Sequence, residues 1–85
     1  MPIVKLYANL RRVAGVKEIS VPAASLETLL SALVTEIPAL ESHLFEDEQL
    51  RRYVIITING HHVTALDTLL AEGDQIAIFP PIAGG

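Results

Sequence analysis

The chain contains no cysteine and no tryptophan among its 85 residues, and only two tyrosines and two phenylalanines. The absence of cysteine excludes disulfide bonds, thiolate metal ligands and a cysteine nucleophile, and it fits the reducing cytoplasm where we expect the protein to act. Basic residues are also scarce, since 6 lysines and arginines stand against 10 aspartates and glutamates, for a formal net charge of −4. This balance argues against nucleic acid as a partner and favours a partner with a basic docking surface.

Long apolar runs are missing as well. No stretch approaches the ~18 consecutive apolar residues of a membrane span, so we expect no membrane partner. Met1, Pro2 and Ile3 lead directly into a strand pattern without a basic segment or cleavage site, so we expect no targeting peptide. A chain of this length forms one domain, and its 51% content of hydrophobic residues supplies one core.

The first half of the chain predicts a hairpin followed by a helix. Apolar and polar residues alternate over residues 3–8 and 16–21, which indicates two strands, and residues 9–15 are interpreted as the hairpin loop. Ser25 is a predicted helix N-cap. An apolar stripe at helical spacing then runs through Leu26, Leu29, Leu30, Leu33, Val34 and Ile37. Pro38 predicts the end of this helix, which we interpret as core rather than as a partner-binding surface.

The second half predicts mostly strands and turns. Residues 53–58 are rich in β-branched and aromatic residues, and Asn59-Gly60 predicts a tight turn into a short strand at Val63. Residues 75–79 form the predicted last strand after a turn at residues 72–74. The remaining predictions are a short helix over residues 39–45, a solvated acidic loop at residues 46–48 and a brief helical turn at residues 67–70.

This element order predicts an α+β protein with the β-grasp fold. One main helix can cover only one face of a single mixed sheet, here of four to five strands, and its crossover connection should be right-handed. The first and last strands then lie side by side at the centre of the sheet. We place the β-grasp domain at residues 1–79 and a flexible C-terminal tail at residues 80–85.

The sequence offers no conventional catalytic centre and predicts no metal site. His61 and His62 are adjacent and therefore point apart on a strand, and His43 stands alone. The pairs Arg11-Arg12 and Arg51-Arg52 have two interpretations, which are contacts to a partner's carboxylates and ordinary solvated surface.

The tail is the part of the chain that carries chemistry. Pro80 and Pro81 end the last strand and favour an extended exit. Ile82 and Ala83 are small, and Gly84 and Gly85 let a partner close on bare backbone. The tail reaches about 20 Å when extended. A frayed terminus is the alternative interpretation.

The chemistry of the tail lies in its terminal carboxyl. A terminal carboxyl with a pKa of about 3.5 is ionised and must be activated before it can transfer an acyl group. Attack on ATP would activate it, after which a sulfur donor gives a thiocarboxylate and a lysine gives an isopeptide.

The run Phe79-Pro80-Pro81-Ile82-Ala83-Gly84-Gly85, preceded by a Gly73-Asp74 turn and an apolar strand, resembles the MoaD/ThiS family of ubiquitin-like sulfur carriers, and most of all its molybdopterin synthase small subunits. The resemblance implies adenylation and then thiocarboxylation of Gly85, with Gly84 and the rest of the tail entering the partner. It implies an adenylating activating enzyme that uses ATP, a sulfur donor system, and a molybdopterin synthase large subunit or another sulfur-accepting enzyme as partners. It implies no stably bound cofactor and no catalytic activity of the chain alone.

Four alternatives to a molybdopterin role remain open at this point. Residues 50–60 are similar to carriers that feed cysteine synthesis, and thiamine synthesis is a further acceptor pathway. A protein modifier joined to lysines would use the same activation step. A non-covalent interaction domain would not need the tail at all.

A final prediction concerns docking. Tyr7 and Phe79 should lie next to each other at the root of the tail, on the sheet face that the helix does not cover. Ile55 and Thr57 should extend this surface and His62 should lie at its rim. We interpret it as an exposed platform for the partner, with a secondary cluster under a loop as the alternative.

Overall fold

The computed structural model describes residues 1–80, and residues 81–85 lie outside that range. Residues 1–80 form three helices and seven strands. The helices are α1 (Asn9–Ala14), α2 (Leu26–Glu36) and α3 (Glu41–Leu44), with a single 3₁₀ turn at Pro38–Leu40 before α3. The strands are β1 (Ile3–Leu6), β2 (Glu18–Ser20), β3 (Phe45–Glu46), β4 (Gln49–Leu50), β5 (Ile55–Ile58), β6 (His61–Val63) and β7 (Gln75–Phe79).

The main sheet has five strands in the order β2-β1-β7-β5-β6. The first and last strands, β1 and β7, are parallel neighbours at its centre, with Val4 opposite Ile76 and Leu6 opposite Ile78. The other pairings in this sheet are antiparallel. The predicted β-grasp arrangement is therefore confirmed, and its sheet has the larger of the two predicted numbers of strands.

The core lies between α2 and one face of this sheet. Alternate residues of the central strands are fully buried, among them Leu6, Ile76 and Ile78. From α2, the leucines of the predicted stripe meet them, and Leu33 is 0% exposed. The helix begins where the sequence predicts, because the Ser25 hydroxyl accepts a hydrogen bond from the Thr28 amide at 3.2 Å.

The predicted loop at residues 9–15 is wrong, because this segment contains α1. Leu10 is fully buried, and Val13 and Ala14 pack against the core at the i+3 and i+4 positions, which is the spacing of one helical face. Gly15 ends the helix in the left-handed region at φ 77°, and its amide donates to the Arg11 carbonyl at 2.8 Å. The strands β1 and β2 are antiparallel as predicted, but a packed helix joins them.

Two other local predictions need correction. The acidic segment 46–48 belongs to the small β3–β4 hairpin, in which Phe45 pairs with Leu50. Asp47 and Glu48 form its turn with φ values of 52° and 65°, which is the backbone of a type I′ turn built without glycine. At residues 67–70 there is a turn and not a helix: the Thr68 amide donates to the Ala65 carbonyl at 3.1 Å, and Leu69 then bridges Ser25.

The turns that flank β5 and β7 are held together by side chains. Asn59 adopts φ 50° and Gly60 φ 86° in the predicted turn. The Asn59 side-chain amide donates to Asp74 at 2.9 Å and accepts from the Gln75 amide at 3.0 Å. The other Asp74 oxygen accepts from the Ala71 amide at 2.7 Å.

These two donors, first the Ala71 amide and then Asn59, lower the pKa of Asp74 below its ordinary value of 3.8. A carboxyl with a lowered pKa stabilises the fold above its unfolded-state pKa. That contribution is lost as the pH falls through the lower, folded-state pKa.

Within residues 1–80, no helix is long and apolar enough to cross a membrane.

Candidate functional site

The candidate site begins where β7 leaves the sheet. β7 is hydrogen-bonded on both sides, to β1 and to β5. Phe79 is therefore the last residue of a central strand and is held in the middle of the sheet. Pro80 follows it and is half-buried. The other predicted tail residues, Pro81, Ile82, Ala83, Gly84 and Gly85, lie outside the described residues, and their roles stay predictions.

Two aromatic rings meet at this exit point. The rings of Tyr7 and Phe79 are stacked, with centroids 4.6 Å apart and planes inclined by 14°. The predicted proximity of these side chains is confirmed. Arg11 adds a third layer to this stack, since its guanidinium carbon lies 5.0 Å from the centroid of the Tyr7 ring in a cation–π contact. The sequence analysis did not predict this contact. The Arg11 Nε also donates to the Leu6 carbonyl at 2.7 Å, which fixes the guanidinium over the ring.

The strand register places the other predicted contact residues on the same face. Ile55 is directly opposite Phe79 and Thr57 is opposite Ala77, while His62 is opposite Thr57 on the next strand. Directly opposed residues of neighbouring strands share one face of a sheet. We call this set the docking face: Tyr7, Ile55, Thr57, His62, Ala77 and Phe79.

The docking face is neither a core nor a fully exposed surface. Tyr7 and Phe79 are half-buried, whereas Ile55 is 47% exposed. By contrast, Ile56 and Ile78 on the opposite face are 1% and 0% exposed. The two faces of the same strands therefore differ as predicted, with the helix on one and the aromatic pair on the other.

A polar cleft lies beside Pro80, at the exit point. Its lining consists of Asn9, Ser42, His43, Arg51 and Pro80, and we call it the tail-root cleft. Arg51 is fixed there by two hydrogen bonds, since its amide donates to the Leu44 carbonyl at 2.7 Å and its Nε to the Ser42 carbonyl at 3.0 Å. The sequence showed Arg51 only as a member of a basic pair, because nothing local indicates that it folds back beside Pro80.

The histidine pair does not form a site. His61 is opposite Ile58 and His62 is opposite Thr57, so the two side chains point to opposite faces of the sheet. Across residues 1–80, no group of three His, Asp or Glu side chains could hold a metal ion.

A β-grasp body with its last strand at the centre of the sheet is the fold of ubiquitin-like carriers and modifiers. The chain belongs to the ThiS family, whose model matches residues 4–85. The match covers the whole predicted tail as well as the body.

Individual relatives fall into two groups. Small archaeal modifier protein 1 of Haloferax volcanii is 40% identical, over 95% of this chain and 97% of its own length. A crystal structure of that protein superposes with a TM-score of 0.91, covering 99% of this chain and 98% of the other. The molybdopterin synthase sulfur carrier subunit of Chlamydomonas reinhardtii is 33% identical, over 93% of this chain and 92% of its own length. The fold and the carrier or modifier class are thus established.

Proposed function

We propose that this protein is a sulfur carrier whose C-terminal residue, Gly85, is adenylated and converted to a thiocarboxylate. The observation that carries the proposal is the family match through residue 85, which includes the Phe79–Gly85 run. The fold supports it, because β7 holds the root of this run at the centre of a rigid sheet.

The proposed chemistry has two steps. A carboxylate oxygen of Gly85 attacks the α-phosphorus of ATP on the activating enzyme, and pyrophosphate leaves. A sulfide-level nucleophile from the sulfur donor system then attacks the acyl carbon and displaces AMP, which leaves the thiocarboxylate. ATP is bound and consumed by the activating enzyme, and the chain itself needs no stably bound cofactor. Its own part is to present the carboxyl on a narrow, extendable segment.

The docking face has a separate role in this proposal, which is to orient the body against each partner. Aromatic side chains are enriched among the residues that dominate interface energy. Phe79 and Tyr7 offer such an anchor, and Ile55 extends it with an exposed apolar side chain. Because Phe79 adjoins Pro80, a partner that covers this face is placed to receive the tail.

For the acceptor we propose the large subunit of molybdopterin synthase, with this chain as the small subunit that donates sulfur to a pterin precursor. The similarity to the Chlamydomonas sulfur carrier subunit supports this assignment. So does a putative molybdopterin converting factor subunit 1 from Pyrococcus furiosus, which is 31% identical with a TM-score of 0.75 and covers 95% of this chain. Cysteine and thiamine synthesis remain alternative destinations for the same thiocarboxylate.

A second candidate function is protein modification, in which a lysine amine displaces AMP and forms an isopeptide bond. The 40% identity to small archaeal modifier protein 1 over nearly the whole chain favours it. Both functions share the adenylation step, so they differ only in the nucleophile that follows.

The carrier function is tested by intact mass. After incubation with an activating enzyme, ATP and a sulfur source, the protein should gain the mass difference between one sulfur and one oxygen atom. A variant lacking Gly84 and Gly85 is the control and should not change. An unchanged mass for the complete chain, under conditions that load another carrier with the same enzyme, would refute the proposal.

The modifier function needs a designed variant, because the last lysine or arginine in the chain is Arg52. Trypsin would therefore leave a long remnant on any modified lysine. In an A83R variant, trypsin leaves only Gly84-Gly85 on the target lysine. The variant must first be shown to undergo the mass gain or adenylation of the natural chain. Gly-Gly-modified lysines that depend on A83R then support modification, and their absence supports a carrier without conjugation.

A further inference from the structure

We propose that the tail-root cleft, through Arg51, is a cationic docking site for carboxylate side chains of the activating enzyme, beside the mouth of the channel that admits the tail. The inference rests on the proposed function, since it assigns the surface that such an enzyme recognises. It also refines the expectation drawn from net charge, because this overall acidic chain places the Arg51 cation beside the root of the tail.

The basic residues are not spread evenly over the fold. Every lysine and arginine except Lys5 lies in a segment that joins the sheet at the tail end. Arg11 and Arg12 follow the end of β1, and Lys17 precedes β2, where its carbonyl accepts from the Leu6 amide at 2.8 Å. Arg51 and Arg52 precede β5, whose first residue is opposite Phe79.

The opposite end of the central strand carries negative charge. Glu72 and Asp74 lie in the turn before β7, where Glu72 pairs with the N-terminal amine. A strand of this length separates the two ends by about 16 Å, at ~3.3 Å per residue. The tail end also carries the carboxylates of the β3–β4 hairpin, so the charge that orients a partner there is the local one of Arg51 and not that of the whole end of the sheet.

The Arg51 guanidinium is positioned to bind a carboxylate of a partner protein. Its backbone amide and its Nε are already used, and the Nε bond to the Ser42 carbonyl fixes the guanidinium at the lining of the cleft. Its Nη1 also forms an ion pair with Glu46, whose carboxylate oxygen is 3.7 Å away, and this solvent-exposed contact is too long to be a hydrogen bond. Within residues 1–80 only the Nε of this guanidinium donates a hydrogen bond, so its Nη donors are left for a partner's carboxylate, the group that matches their planar geometry.

The position of the cleft decides between a side chain and a nucleotide as its occupant. Five residues separate Pro80 from the reacting carboxyl of Gly85, and an extended segment of that length spans about 17 Å. While the tail is inserted, the phosphates of ATP or of the adenylate therefore lie far from Arg51. The surface that faces the cleft at that moment is the rim of the partner's channel, so a carboxylate that meets Arg51 there belongs to a protein side chain.

The test is the kinetics of adenylation, followed by pyrophosphate release with the activating enzyme that loads the natural chain. Arg51→Gln removes one positive charge at the cleft. Ser20→Glu adds one negative charge on exposed β2, at the far end of the sheet, and so matches the change in net charge. We expect Arg51→Gln to raise KM for the carrier about tenfold, the size of one charge-assisted hydrogen bond, with kcat unchanged. Ser20→Glu should change KM less than twofold.

Two further measurements exclude a purely structural effect. The tenfold difference should shrink as ionic strength rises, because screening weakens exposed charge pairs, and Arg51→Lys should restore part of the loss. Equal KM values for Arg51→Gln and the natural chain would overturn the inference and leave the carrier function standing. So would a loss that Arg51→Lys does not relieve and salt does not alter. A natural chain that no activating enzyme adenylates would overturn both.

Discussion

Replacing Phe79 with alanine separates the two roles that this residue could have, as docking anchor or as core. Phe79 is half-buried, its ring stacks on Tyr7 at 4.6 Å, and its strand partner is the exposed Ile55. Its neighbour Ile78 is fully buried on the other face of the same strand. The two adjacent positions thus make a matched pair for one experiment.

The structure sets the expected loss of stability. A fully buried Phe→Ala substitution costs about 3–5 kcal/mol, and Phe79 buries only part of its ring. The hydrophobic free energy lost with a half-buried ring is smaller than this. Together with the loss of about 0.5–1.5 kcal/mol of aromatic stacking, Phe79→Ala should lower the free energy of unfolding by about 1.5–2 kcal/mol. For a domain of this size that corresponds to a fall in Tm of roughly 6–16 °C. Binding to the activating enzyme or to the large subunit should weaken by about 2 kcal/mol or more, near 30-fold, as at an interface hot spot.

Urea unfolding gives the first quantity, and titration calorimetry with the partner gives the second. Phe79→Leu should recover most of the stability and only part of the binding, because it restores apolar area without the aromatic stack. Ile78→Ala is the core control, with a loss of about 2–5 kcal/mol in stability and little change in affinity while folded. If Phe79→Ala instead unfolds like Ile78→Ala and binds normally, Phe79 is core and the docking face is refuted.

The main features of the fold could be predicted because they follow from local patterns. Alternation predicts the faces of β1 and β7, and it therefore places Tyr7 and Phe79 together, as their stacked rings confirm. The apolar stripe with Ser25 at its start defined α2 within one or two residues. One main helix and one sheet then left few topologies.

What sequence reasoning missed depends on contacts between distant segments. Helix α1 is only six residues long, which is too short to show a clear helical period in the sequence. It is stabilised because Leu10 is buried in the core. The β3–β4 turn has no glycine or asparagine to signal its positive φ values at Asp47 and Glu48. Arg51 reaches the tail root only because this hairpin returns the chain to α3, so the tail-root cleft had no local signature.

Three further changes test the described residues in the body of the fold. Leu33→Ala should cost about 2–5 kcal/mol in urea unfolding, because a leucine that is 0% exposed leaves a cavity in the core; a loss below 1 kcal/mol would contradict the packing of α2 on the sheet. Ser25→Ala should cost about 1 kcal/mol through loss of the cap to the Thr28 amide, whereas Ser25→Asp should retain most of the stability. Asp74→Asn should unfold at lower urea than the natural chain at pH 7, where the ionised carboxylate accepts from Ala71 and Asn59. The pKa of Asp74 is lowered in the fold, so the difference between the two proteins should stay constant down to the ordinary value near 3.8. Below that pH it should diminish as the natural chain becomes protonated; a difference that does not change between pH 7 and pH 2 would show that the charge of Asp74 does not stabilise the two turns.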